Sequence, residues 1–501
     1  MVNDCNAFTV AGFNRRHTLD NVLAGLQPER VFYYFEEISR IPRPSGRCGM
    51  ISDYIVDFAV SHELYYVRDD IGNVLIRKAG SKGADHPAVI LQGHMDMVCE
   101  KSYDYEAKHD FTKDGLKLAV LEDYIFAKGT TLGADDGIAV AFMLSILEDD
   151  TLDIPDIEAL FTVDEENGMR GALAFDTSLL TGKLLINLDH EVFGEILTCS
   201  AGGKRVKCSI PVTYRESAGI GYSIIVCGLT GGHSGMEIDK GRGNANLILG
   251  RIMHTLAKNM DYSIKYIGGG LTDSAIPREA KAEIIIDEAD TDTLETIIEQ
   301  YSAIICNEFE GIEENMMIYA ENKGGDHAKC LDAESADRIL FLLNTIPDGI
   351  IKMSRRNDGL VRTSLNSGIM KLTDSEFALT VNMRSLAESE KEALADKIEY
   401  LIEKTGGTYT EEYDYPAWEY QEDSDLRRSA FEVYQKIFLH NPQLRGFHAG
   451  LECGVFYDKM QDIDIISVGP DINNIHTPKE KLSISSTLKA YEYLLEILKT
   501  V

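Results

Sequence analysis

Apolar positions recur at helical spacing from Pro28 onward. Val31, Phe32, Phe35, Ile38 and Ile41 share one face, which predicts an amphipathic helix that stops before Pro42 and Pro44. Residues 50–59 predict a second helix. Residues 65–67 and 74–77 read as strands joined by a turn through Asp69-Asp70-Ile71-Gly72-Asn73. The run Ala88-Val89-Ile90-Leu91-Gln92 is short and apolar, as a strand buried on both faces would be. A helix over 137–147 and strands over 158–163 and 183–188 follow. Strands alternating with helices predict an α/β sheet covered on both faces.

Past Cys199 the pattern changes. Residues 207–212 and 222–229 alternate apolar and polar, as strands with one open face do. Helices are predicted over 245–258, 291–307 and 335–344, a strand over 377–383 and a helix over 388–404. After Tyr415-Pro416-Ala417-Trp418 a helix over 426–439 and a strand over 464–468 return to the first texture. No sequence repeat or low-complexity tract is visible. The predicted architecture is therefore an α/β domain, residues 27–203 and 414–501, interrupted by an inserted α+β domain, residues 204–413. Residues 1–26 read as a loose extension.

Composition fits this picture. The 501 residues are 44% hydrophobic and 26% charged, too many for one ordinary core and outside the collagen-like, disulfide-scaffold and disordered classes. There are 82 acidic residues against 49 basic, a formal net charge of −33. That surface repels phosphate backbones and anionic membranes, so neither nucleic acid nor membrane is an expected partner. No run reaches the ~18 apolar residues of a membrane span. Arg15-Arg16 resembles a twin-arginine signal, but His17, Asp20 and Asn21 stand where apolar residues should follow. Nine single cysteines with no C-x-x-C pair predict reduced thiols and a cytoplasmic protein.

Five polar sites follow an apolar strand or open a helix, the position at which open α/β sheets build their sites. They are His94-Met95-Asp96, Asp135-Asp136 in a glycine-flanked turn, Glu165-Glu166, Asp189-His190-Glu191, and His476. Residues two apart on a strand share a face, so Asp96 can take the second N–H of a metal-bound His94. Adjacent carboxylates repel unless screened or set beside a cation, and the pair Glu165-Glu166 allows one to bind metal while the other moves protons. Two histidines with three carboxylates form a mixed N/O donor set that suits Zn²⁺ and tolerates Mn²⁺ or Co²⁺. Their three negative charges nearly balance two divalent ions.

At these residues the chain resembles the bacterial aminoacyl-histidine dipeptidases, within the group of di-zinc exopeptidases and deacylases that includes carnosinase and glutamate carboxypeptidase. The most specific stretches are residues 129–137, Thr198-Cys199-Ser200-Ala201-Gly202-Gly203, Gly231-Gly232-His233-Ser234-Gly235, Ala275-Ile276-Pro277-Arg278-Glu279 and His448-Ala449-Gly450-Leu451-Glu452-Cys453-Gly454. The resemblance implies a di-zinc exopeptidase-like catalytic domain whose insert is a lid and dimerisation domain. It implies that His94 and Asp189 hold one zinc, Glu166 and His476 the other, and that Asp135, rather than Asp136, bridges both. It makes Glu165 the general base, with Asp96 orienting His94. It offers His233 as donor to the oxyanion, acting across a homodimer in dimeric relatives, and Arg384 as clamp for the substrate carboxylate. Glu452 is assigned to a substrate ammonium group. Ser274 stands where relatives commonly carry asparagine, a shorter side chain with one donor.

The expected activity is metal-dependent hydrolysis of unblocked dipeptides, Xaa-His and β-alanyl-histidine among them. An N-acyl-amino-acid deacylase on the same scaffold is the near alternative, and a non-catalytic peptide- or metal-binding protein is the distant one.

Overall fold

A computed structural model describes residues 21–83, 86–103, 109–356 and 359–501. Arg15-Arg16 and most of the N-terminal extension lie outside the described residues. Two sheets organise the chain. The first has eight strands in the order Tyr65–Arg68, Val74–Lys78, Ile157–Thr162, Val89–His94, Leu184–Asn187, Asp464–Ser467, Glu195–Ser200 and Gln443–Phe447. Its four central strands, Ile157–Thr162 to Asp464–Ser467 in that order, are mutually parallel. Their carboxyl ends therefore open at one edge.

The central strands are apolar throughout because both faces are covered. Val89, Leu91, Ala159, Phe161 and Ile186 enter one core, beneath helices Glu29–Ser39, Ala134–Glu148, Asp425–Phe438 and Ile484–Thr500. Ile90, Leu160, Leu185 and Ile465 enter another on the opposite face, against Phe175 and helix Glu452–Lys459. In helix Ala134–Glu148 every residue from Ala134 to Leu147 is buried, so it carries no polar stripe. Helix Glu29–Ser39 buries the expected face, Val31, Phe32, Phe35 and Ile38.

The second sheet has nine strands. Eight form a path: Met317–Leu331, Tyr214–Cys227, Ala280–Ile286, Tyr262–Gly269, Val361–Leu372, Glu376–Ser385, Gly202–Pro211 and Thr408–Tyr415. The ninth, Gly349–Met353, pairs with Val361–Leu372. Although the sequence shows no repeat, one topology occurs here twice. Strand Tyr214–Cys227, helix Ala245–Ala257, strands Tyr262–Gly269 and Ala280–Ile286, helix Thr291–Glu308 and strand Met317–Leu331 form a βαββαβ unit. Strand Gly202–Pro211, helix Ala333–Thr345, strands Val361–Leu372 and Glu376–Ser385, helix Glu388–Lys404 and strand Thr408–Tyr415 form a second. The first unit is inserted between the opening strand and first helix of the second. The two meet edge to edge where Gly268 and Gly269 pair with Lys371 and Met370. The four helices share one apolar core against the sheet. No described helix is long and apolar enough to cross a membrane.

Candidate metal centre

His94 ends strand Val89–His94, and Glu165-Glu166 and Asp189 follow the two strands that flank it. Asp135 and Asp136 open helix Ala134–Glu148, packed against the same strand. His476 lies on the segment after strand Asp464–Ser467. The sheet thus delivers five chain segments to one place.

Asp135 stands at the centre. Its Oδ1 is 3.1 Å from His94 Nε2 and its Oδ2 is 3.0 Å from His476 Nε2. Asp189 Oδ1 is 3.6 Å from His94 Nε2, and Glu166 Oε1 is 2.8 Å from His476 Nε2. Each imidazole therefore faces its own carboxylate, and both face Asp135. Asp136 accepts the backbone N–H of His94 with its Oδ2 at 3.1 Å, and one of its carboxylate oxygens lies within 4.8 Å of ligand atoms of His94 and Asp189. Asp96 is fully buried below. It accepts from Ser45 Oγ at 2.7 Å and from the Glu165 and Glu166 N–H groups at 3.1 and 3.3 Å, and its Oδ1 lies 3.5 Å from His94 Nδ1. It sets the His94 ring and the Glu165-Glu166 turn together.

The charges at this place do not settle among themselves. Burial pushes the Asp189 carboxyl up to about 7, against the pull of His94. Burial, with Asp135 and Asp189 nearby, pushes Glu191 up to about 8. Burial holds Glu165 well above the usual carboxylate range, and neighbouring Glu166 and Asp189 add to it. Burial also opposes ionisation of Asp135, but the His476 and His94 imidazoles outweigh it and hold that carboxyl below its usual range. Burial opposes a charged His476 too, yet Asp135 and Glu166 drive it up to about 11. So many carboxylates in a dry pocket favour a positive charge among them. Ligand atoms of His94, Asp135 and Glu166 lie within 4.8 Å of one another, as do those of His94, Asp136 and Asp189, and His476 faces Asp135 and Glu166; these mixed N/O donors fit divalent cations of the zinc class.

Asp135, Glu166, Asp189 and His476 line one wall of a cleft of about 780 Å³, with His94 buried behind them. Glu165, Glu166, Asp189 and Glu191 follow strands of the first sheet; Asn382, Arg384 and Tyr415 come from the second, while His233 lies on a two-stranded ribbon with Ala275–Ile276, and Asp273 and Ser274 precede that ribbon's second strand. His233 faces the cleft of its own chain. Its Nδ1 accepts the N–H groups of Gly235 and Met236 at 3.2 and 3.0 Å, which leaves the proton on Nε2. Burial, with Arg384 nearby, lowers this imidazole to about 4, so it is a neutral donor. Arg384 donates Nη1 to Tyr415 Oη at 2.8 Å, and its buried Nε has no protein partner.

Glu452 requires correction. It is fully buried, accepting from Thr162 Oγ1 at 2.6 Å and from Gln92 Nε2, beneath the strands rather than in the cleft. A side chain without exposed surface meets no substrate ammonium. Two further residues went unread in the sequence, Arg43 and Glu480, because their partners are backbone groups and no spacing rule marks them. The one available signal was that Glu480 lies four residues past His476.

A sequence model described as peptidase family M20/M25/M40 matches residues 90–500. The cytosol non-specific dipeptidase of Escherichia coli is 35% identical over 483 residues, 96% of this chain and 99% of that protein. The crystal structure of aminoacylhistidine dipeptidase from Vibrio alginolyticus superposes with a TM-score of 0.86 at 32% identity, covering 96% of this chain and 98% of that one. Aminopeptidase PepT from Bacillus cereus shares the fold, with a TM-score of 0.54 at 16% identity over 95% of this chain and 99% of that one.

Proposed function

The chain belongs to peptidase family M20/M25/M40, and from that premise we propose that it is a two-zinc dipeptidase for unblocked dipeptides, with Xaa-His among its substrates. It is a peptide-bond hydrolase, and its activity is metal-dependent hydrolysis of dipeptides. The observation that carries the two-metal reading is the position of Asp135, one oxygen toward each imidazole.

His94 and Asp189 would hold one ion, His476 and Glu166 the other, and Asp135 both. When bound, the ions would supply Lewis-acid chemistry, making water more acidic and polarising the scissile carbonyl. Glu165, on the cleft wall beside their ligands, would take a proton from the attacking water and return it to the leaving amine; its raised affinity for a proton suits both roles. His233 holds its proton at Nε2 and donates to the oxygen on which negative charge develops. Arg384, oriented by Tyr415, pairs with the substrate carboxylate in a geometry that suits a guanidinium. Asp96, whose backbone carbonyl lies 3.2 Å and whose Oδ1 lies 3.5 Å from His94 Nδ1, keeps His94 in the tautomer with Nε2 free.

Residues 204–413 act in this proposal as the lid that brings His233 and Arg384 over the metal wall. A homodimer through that region and a cytoplasmic location complete it. The free state of the eight described cysteines supports a reducing compartment.

The test uses chelator-stripped protein with and without zinc, on β-alanyl-histidine and a panel of free and N-acylated dipeptides. Zinc-restored cleavage of free dipeptides alone is expected. Cleavage of acylated substrates alone would move the chain to the deacylases. Glu165→Gln is expected to lower kcat by about 10²–10⁴-fold with metal content unchanged.

A further inference from the structure

The turn that carries Asp135 and the loop that carries His476 are tied by one carboxylate. Glu480 is 2% exposed. Its Oε2 accepts the N–H groups of Leu132 and Gly133 at 2.8 and 3.0 Å. Its Oε1 accepts those of Ala134 and Asp135 at 2.7 and 3.4 Å. These are successive N–H groups at the start of helix Ala134–Glu148, donors that no helical carbonyl can satisfy. Glu480 in turn donates its own N–H to Thr477 O at 3.0 Å, which closes the turn just after His476.

Arg43, also 2% exposed, grips the same turn from the other side. It donates to Met95 O at 3.0 Å, to Asp96 O at 3.1 Å and to Gly133 O. The Gly133 residue is thus held at its N–H by Glu480 and at its carbonyl by Arg43. A Cβ at Gly133 would meet Arg43 Nη2 and Met97 Sδ, each at 2.7 Å, so no larger residue fits between the two grips.

We propose that Glu480, with Arg43 as its counterpart, is a positioning residue for the bridging carboxylate: it fixes Asp135 at reach of both imidazoles and fastens the His476 loop to it. This rests on the two-metal reading. The two ends of the bridge are not equally supported without Glu480. His94 ends a strand paired on both sides, and Asp189 follows the strand beside it. His476 sits on a loop, with a positive φ of its own and another at Asn474, and its side chain is 43% exposed. Removal of Glu480 therefore falls on the ion that His476 and Glu166 would share.

Chelator-stripped protein is titrated with zinc alone in a calorimeter, and bound zinc is counted after dialysis. The wild type is expected to take two equivalents. Glu480→Ala is expected to keep one and to bind the second about 10–100-fold more weakly. Glu480→Gln keeps the volume, and so the fold, but offers one acceptor oxygen and aims an amide donor at two of the four N–H groups. It is expected to lose the second equivalent as well.

Glu158→Ala is the control for destabilisation alone. Glu158 is 2% exposed and accepts the N–H groups of Thr181 and Gly182, each at 2.9 Å, at the opposite end of the same sheet. It is expected to lower the melting temperature and keep both equivalents. Retention of both equivalents within threefold of wild type by Glu480→Gln overturns the assignment, as does equal loss in Glu158→Ala. A wild type that takes fewer than two equivalents overturns the two-metal reading and the assignment with it.

Discussion

Asp348 shows what burial does to a lone carboxylate away from the cleft. It accepts from the Ser367 N–H at 2.7 Å and from Asn244 Nδ2 at 3.3 Å, and no cation among the described residues pairs with it. Desolvation pushes it up to about 6 from an ordinary 3.8, against those hydrogen bonds. The folded chain then binds this proton more tightly than the unfolded chain does. Its contribution to stability is fully present below about pH 4 and is lost as pH rises through about 6. Asp348→Asn removes that dependence. Chemical denaturation should find the wild type more stable than the variant at pH 4.5, and the difference should vanish or reverse by pH 7.5, a swing on the order of 2 kcal/mol. The same contrast between residue type and surroundings explains what could be read from sequence. The sites at His94, Asp135-Asp136, Glu165-Glu166, Asp189 and His476 were legible because each follows an apolar run or opens a helix; which carboxylate of each pair is a ligand came from the family resemblance alone. Glu452 was legible as a carboxylate in a marked motif, but not as one pointing beneath the sheet, since a motif does not state which way a side chain turns. Glu480 was silent because a backbone N–H leaves no mark on the sequence.

Between elements, strand Val89–His94 packs closely against helix Ala134–Glu148. Gly93 makes it possible: a Cβ there would meet Ala139 Cβ and Asp136 Oδ2, each at 2.6 Å. Neither neighbour can withdraw freely, since Ala139 is inside a fully buried helix and Asp136 holds the His94 N–H. Gly93→Ala should therefore push the helix start, and Asp135 with it, away from His94. The expected cost is about 1–3 kcal/mol of stability by thermal or denaturant unfolding, with weaker zinc uptake. Gly325→Ala, with nothing within 4 Å of the added carbon, should be neutral within about 0.5 kcal/mol. Elements buried on both faces, such as this strand and helix, were readable from apolar runs alone. The long strands Met317–Leu331 and Val361–Leu372 were not. Met317–Leu331 in particular is largely exposed and carries Asn322-Lys323-Gly324-Gly325-Asp326 mid-strand, which breaks any alternation. The doubled βαββαβ topology was hidden for another reason: one unit splits the other, so its first strand and first helix are more than a hundred residues apart.

For the whole molecule, the doubled unit decides how many chains a complete site needs. The sequence resemblance left open whether His233 serves its own chain or a partner. In the structure it comes from the inserted βαββαβ unit and Arg384 from the unit that surrounds it, and both line the same cleft as Glu165. The edge-to-edge pairing of the two units within one chain puts His233 opposite the metal wall with no second subunit. A mixing experiment separates the cases. Glu165→Gln and His233→Ala chains, each expected to be impaired by about 10²-fold or more, are combined one to one and exchanged through mild unfolding and refolding. If His233 acted across a homodimer, half of the dimers would be mixed. In each of these one of the two sites would combine an intact Glu165 with an intact His233, restoring about a quarter of wild-type activity. If each chain completes its own cleft, every site in the mixture lacks one of the two groups, and activity stays at the mean of the separate variants. The geometry predicts the second outcome, at any protein concentration, because dilution that dissociates a dimer leaves His233 and Glu165 on the same chain.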